Sequence, residues 1–171
     1  HQAGPKEIVA LLRAGGADIG VATEALEGEP DLATFPWYSW HHSVIVPAGH
    51  PLTQVKKLTL AALAEYPIIT YHEGFTGRSS IDRVFADAGI LPDIILSALD
   101  ADVIKTYVEL NLGVGIIASM AYDPHKDTGL ALLDGAAVFS ANTTHIAIRR
   151  GHYLRSYAYR FIELCSAQLT E

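Results

Sequence analysis

The chain has 171 residues, half of them hydrophobic, with 12 Lys+Arg against 19 Asp+Glu for a formal charge of −7. The apolar share excludes a disordered or low-complexity chain, and the acidity argues against this stretch gripping nucleic acid, whose phosphates need a positive face. The single cysteine, Cys165, excludes a disulfide framework or a Cys-based zinc site and fits a reducing compartment.

Lys6 to Ala14 predicts a helix with Ile8, Leu11 and Leu12 on one face, stopped at Gly15-Gly16. Asp18 to Ala22 reads as a short buried strand. Trp37 to Val46, rich in aromatic and β-branched residues, reads as one long strand that ends before Pro47 and His50-Pro51. Leu58 to Glu65 is a short helix with Thr59 as N-cap. Ile68 to Tyr71 is a strand. After a polar, Gly-containing loop a helix runs from about Ser79 to Ala88, capped by Gly89. Asp93 to Ala98 is a strand, and Asp100 caps a helix with Val103, Ile104, Tyr107, Val108 and Leu112 on one side. Ile116 to Met120, Leu130 to Leu133 and Thr144 to Arg149 are strands. The last helix runs from about Tyr153 to Leu169, with Leu154, Tyr157, Phe161, Leu164 and Cys165 inward. No internal repeat is visible. Strands alternating with helices predict an α/β fold with a largely parallel sheet.

The segment Leu110 to Tyr122 is the longest charge-free apolar run, short of the ~20 residues that span a bilayer, so no membrane partner is expected. The sequence opens at His1 without a Met or a signal peptide and reads as the middle of something larger.

The segment from Tyr71 to Ser80 is the richest in chemistry. It leaves a strand and enters a helix, and in open α/β sheets ligands sit beyond the carboxyl ends of strands. A helix N-terminus offers unpaired N–H groups, Gly74 and Gly77 let the backbone come close, and the hydroxyls of Thr76, Ser79 and Ser80 add donors. The set suits a small anion held by neutral donors; a polar loop with a serine N-cap explains it equally well. Thr23 would place a hydroxyl at the carboxyl end of another strand, though as an isolated residue it reads first as an N-cap. Asp100 and Asp102 flank a third strand-to-helix turn. Capping is the first reading there; a carboxylate could also accept from an amide N–H of an organic ligand.

Eight histidines invite a metal reading, which the spacing rejects. His41 and His42 would point to opposite faces of a strand, and no His-x-x-x-His pair falls on a helix. Most read as solvated. No Gly-x-Ser-x-Gly elbow, phosphate loop or dinucleotide fingerprint appears, and no cofactor is implied.

Several stretches together resemble the effector-binding domain of LysR-type transcriptional regulators, and within them the CysB-like group of CysB and Cbl. They are Gly16 to Leu26, Val46 to Leu52, Gly74 to Ser79, Asp100 to Val108, Leu112 to Met120, and Leu154 to Tyr157. The resemblance implies a two-lobed, type 2 periplasmic-binding-protein-like fold with two crossover strands. One lobe would combine residues 1–42 with 143–171, and the other would span 43–142. It also implies that the family's first strand, first helix and DNA-binding winged helix-turn-helix lie outside this chain.

Carried over residue by residue, the ligand threonines are Thr23 from one lobe and Thr76 from the other, with Gly74, Phe75, Gly77 and Asp100 beside them. The implied effector is acetylserine or a sulfate or thiosulfate anion, bound between the lobes of a cytoplasmic regulator of sulfur assimilation and cysteine biosynthesis. The family also implies dimers, tetramers in the full-length protein, and promoter DNA as partner only through the missing domain. The nearest alternative is a Cbl-like regulator sensing adenosine phosphosulfate. A periplasmic anion-binding protein shares the fold, and an enzyme stands furthest away, lacking a nucleophile–base pair.

Overall fold

The computed structural model describes residues 1–24, 26–75 and 77–165. The chain divides into two compact units, one made of residues 1–39 and the segment from Thr143 onward, the other of residues 40–142.

In the first unit, helix α1 (Pro5–Ala14) starts on a proline and ends at Gly15 in the left-handed conformation. Strand β1 (Gly20–Ala22) pairs antiparallel with β8 (Asn142–Arg149), which lies between β1 and β2 (Leu32–Trp40). Side chains alternate across β8. Ala147 joins Val9 and Leu12 of α1 with Leu26 and Leu32, while Ile148 meets helix α5 (Ser156–Cys165) on the other face.

In the second unit, five strands lie in the order β5 (Ile94–Ala98), β4 (Ile68–Tyr71), β6 (Val114–Ala118), β3 (His42–Pro47), β7 (Leu130–Leu133). Strand β4 is parallel to β5 and β6, as the crossover helices α3 (Arg78–Asp87) and α4 (Ala101–Glu109) require. The short helix α2 (Leu60–Leu63) is capped by the Thr59 hydroxyl, which accepts from the Ala62 amide. Core residues cover both faces. Val44, Val46, Ile68 and Ile116 join Phe85 and Ile81 on one side; Ile45, Ile69 and Ile117 join Ile104 and Val108 on the other. Buried on both faces, these strands read as continuous apolar runs.

Several expectations are corrected. The sheets are mixed rather than largely parallel: β3 pairs antiparallel with both β6 and β7, and β8 with β1. The single strand read over Trp37–Val46 is two, β2 and β3, in different sheets and interrupted at His41. The strand placed at Ile116–Met120 begins two residues earlier, and Ser119–Ala121 forms a 3-10 turn. On α4 only Ile104 and Val108 are buried, while Val103 and Tyr107 face outward; Leu112 lies beyond the helix end and is exposed. In α5 the inward residues are Ala158 and Ile162, continuing the line from Leu154; Tyr157, Phe161 and Leu164 are exposed. Small Ala158 lets this helix approach the sheet, so side-chain bulk misidentifies the face. Residues of that helix expected beyond Cys165 lie outside the described residues.

Candidate functional site

Three predicted positions sit at strand ends, and two of those ends are neighbours. Strands β4 and β5 run parallel with Tyr71 opposite Ala98, and the His72 amide donates to the Ala98 carbonyl at 2.8 Å. The loop after Tyr71 and the turn at Asp100 therefore share the carboxyl edge of one sheet. Thr23 follows β1 in the first unit.

The loop after β4 is tightly cross-braced. The Phe75 amide donates to the His72 carbonyl at 3.1 Å, and the Arg78 amide to the Phe75 carbonyl at 2.9 Å. Gly74 is exposed with φ 79°, and Phe75 is half-buried against the core beneath α4. Gly77 is buried, has φ 69° and forms the N-cap of α3 without a side-chain bond. The serine N-cap considered from sequence is thus replaced by a glycine in the left-handed region. A Cβ at Gly77 would stand 2.9 Å from both His42 Cε1 and Asn142 Oδ1, so the backbone rests directly on those two side chains. Thr76, the central residue of the motif, lies outside the described residues.

Arg78, not singled out from sequence, is buried. Its Nη1 donates to the Tyr71 carbonyl at 2.7 Å, and its Nε to Asp82 Oδ1 at 2.7 Å. One guanidinium therefore ties the end of β4 to the second turn of α3. Tyr71 itself is buried, its hydroxyl oxygen accepting from the Ala118 amide at 3.1 Å. Burial pushes its phenol up to about 12.

His42 is fully buried, its ring edge-on to those of Trp40 at 4.9 Å and Phe139 at 5.8 Å. His145 is also buried, its Nε2 at 3.0 Å from Glu27 Oε1. Reading most histidines as solvated fails for these two because both stand on strands whose apolar neighbours carry them inward. Among the described residues no cluster of three His, Cys, Asp or Glu could hold a metal. No helix among them is long and apolar enough to cross a membrane.

Asp100 caps α4, its Oδ1 accepting from the Val103 amide at 2.9 Å. Asp102 pairs with Lys105, which also reaches Asp127 and the Ala121 carbonyl. In the first unit Thr23 is half-buried and its Oγ1 stands 3.4 Å from Oγ1 of buried Thr144. This pairing follows from register. Ala22 opposes His145, so the next residue of one strand meets the preceding residue of the other. Thr144 was missed because only the pairing of two strands distant in sequence brings it to Thr23.

Both units are α/β, with a glycine-bearing turn at a strand end in one and a hydroxyl-bearing turn at a strand end in the other. The family model for the LysR substrate binding domain matches residues 1–170, and the chain belongs to that family. It is 55% identical over 171 residues to the HTH-type transcriptional regulator SsuR of Burkholderia cenocepacia, covering all of this chain and 56% of that protein. It is 47% identical to CysB of the same organism, covering 98% of this chain and 54% of that one. The crystal structure of the cofactor-binding domain of the Cbl transcriptional regulator superposes with a TM-score of 0.94 at 50% identity, covering 99% of this chain and 74% of that one. The chain spans about half the length of the curated relatives it matches. It is the effector-binding domain of a LysR-type regulator related to Cbl, CysB and SsuR, with the two-lobed periplasmic-binding-protein-like fold. Its relatives are transcriptional regulators, not enzymes.

Proposed function

We propose that this domain is the sensor of a cytoplasmic regulator of sulfur-assimilation genes. Its effector is acetylserine or a small sulfur oxyanion such as sulfate or thiosulfate. The effector-binding lobes are residues 1–42 with 143–171, and residues 43–142. Thr23 from the first and Thr76 from the second supply hydroxyl donors, Gly74, Phe75 and Gly77 shape the second loop, and Asp100 stands beside it.

The observation that carries this reading is the loop from His72 to Arg78. It stands at the carboxyl edge of a sheet, ends in a left-handed glycine at a helix start, and is braced from beneath by Arg78. The amides of His72, Phe75, Arg78 and Ser80 donate within the fold, so the donors proposed for an anion are the threonine hydroxyls, at no cost in side-chain charge. An effector contacting both lobes would favour one arrangement over another only by its differential affinity for the two. In the full-length protein, dimer and tetramer contacts would carry that bias to a DNA-binding domain upstream.

A second reading is a Cbl-like sensor of adenosine phosphosulfate. The identities to SsuR and to the Cbl structure, slightly above that to CysB, favour it. The test is a calorimetric panel of acetylserine, sulfate, thiosulfate and adenosine phosphosulfate. It is run on this chain and on a form extended upstream by about 40 residues, roughly one βαβ piece. Saturable binding of any of the first three supports the first reading; binding of adenosine phosphosulfate alone moves the assignment to the second. No binding to folded protein of either length contradicts both.

A further inference from the structure

Two side chains of β8 each meet a candidate effector position within their own unit. Asn142 and Thr144 are two residues apart, so they share one face of the strand. Thr143, between them, points the other way, its Oγ1 3.4 Å from Ser39 Oγ.

Within the second unit, Asn142 Nδ2 stands 3.4 Å from His42 Nδ1, and Asn142 Oδ1 lies 2.9 Å from where a Cβ on Gly77 would stand. The aromatic rings of Trp40 and Phe139 hold the His42 imidazole edge-on beneath Gly77. Within the first unit, Thr144 is buried and its hydroxyl faces that of half-exposed Thr23. At 3.4 Å the contact is long for an O–H···O bond.

We propose that Asn142 and Thr144 are positioning residues for effector binding: Asn142, against His42, seats the Gly74–Gly77 loop at Gly77, and Thr144 orients the Thr23 hydroxyl. Each acts inside its own unit and neither touches the ligand. The functional consequence rests on the reading of Thr23 and the loop as effector contacts. The positioning itself does not, and the two can be tested separately.

The first measurement is made without ligand, by NMR of the full chain. Thr144→Val, similar in size but lacking the hydroxyl, is expected to average the χ1 rotamer of Thr23; Thr144→Ser is expected to retain it. Thr23→Val, at the more exposed partner, is expected to shift the Thr144 hydroxyl resonance reciprocally. Asn142→Leu is expected to speed hydrogen exchange at the Gly77 amide while leaving the β1 amides unchanged. Leu12→Val, a core truncation elsewhere, controls for general loosening. If Thr23 and Gly77 behave as in the parent, or if Leu12→Val moves them equally, the proposal is overturned.

The second measurement is a titration with sulfate and acetylserine. Thr144→Val and Asn142→Leu are each expected to weaken binding about three- to tenfold, the range set by one net hydrogen bond, and Thr144→Ser to restore it. Unchanged affinity in both variants overturns the functional consequence. A parent that binds neither probe refutes the effector reading instead, while the ligand-free measurements still decide the positioning.

Discussion

The second unit has a five-stranded sheet cored on both faces, whereas the first has three strands, one of them only three residues long. The contrast is one of cover. In the second unit, consecutive residues such as Val44 and Ile45, Ile68 and Ile69, or Ile116 and Ile117 enter different cores, so the positions of the central strands are dictated. In the first unit, the two faces of β8 meet small clusters centred on Leu12 and on Ala158. The lesson is that the candidate positions in the two units rest on unequal supports: a braced turn over a large core at Gly77, and a short strand end at Thr23.

Truncating the larger core should give the largest effect. Phe85→Ala removes a fully buried ring and is expected to cost about 3–5 kcal/mol, read by hydrogen exchange at amides of the second unit. The amides of Ile146 and Ala147 should keep their protection. An equal loss in both units would break the comparison by showing one cooperative block.

Next is the alkaline limb of stability. The Tyr71 phenol is held neutral up to about 12 by burial, whereas unfolded tyrosine titrates near 10. A raised acid pKa stabilises the fold fully below the unfolded value and loses that contribution as pH rises through the folded one. Stability of the second unit should therefore fall by about 2–3 kcal/mol between about pH 10 and about 12. Tyr71→Phe should lack this limb, at the cost of leaving the Ala118 amide without its acceptor. Urea titrations across that range check both.

Gly77→Ala should come third, at about 1–3 kcal/mol, because it combines a left-handed backbone with crowding against His42 and Asn142. Thermal unfolding reads the cost, and calorimetry should show effector binding falling with it. Removing the cap of α4 in Asp100→Ala should cost about 1 kcal/mol. An unchanged melting temperature would show that the cap bond is not formed in solution.

The smallest effect belongs to the surface of the first unit. Hydrogen bonds from Arg13 hold the exposed Asp31 carboxyl down to about 2, from an ordinary 3.8. A depressed carboxyl stabilises the fold above its unfolded value and loses that contribution as pH falls through the folded one. The expected acid limb between about pH 4 and about 2 is shallow, screened by salt, and absent in Asp31→Asn.

Local chemistry made much of this legible in the sequence. The strand at Ile68–Tyr71, the Thr59 and Asp100 caps, and the Gly15 stop each follow from a few neighbouring residues. What escaped was set by distant partners. The break at His41 occurs where the chain changes sheets, and composition on either side is equally β-prone. Burial of His42 and the partnership of Thr144 with Thr23 depend on residues roughly a hundred positions apart. On α5, a small alanine rather than the larger aromatics faces the sheet. The loop from Gly74 to Gly77 stood out as a motif; the Arg78 brace beneath it did not, because nothing local marks an arginine for burial.

The most direct test of the central claim is a calorimetric double-mutant cycle on the upstream-extended protein, titrating acetylserine and sulfate into Thr23→Val, Thr76→Val and the pair. If both threonines hold one effector, each single change should weaken binding about three- to tenfold, and the double should lose less than the product of the two. Affinity unchanged in either single variant, with the fold intact, would contradict the account.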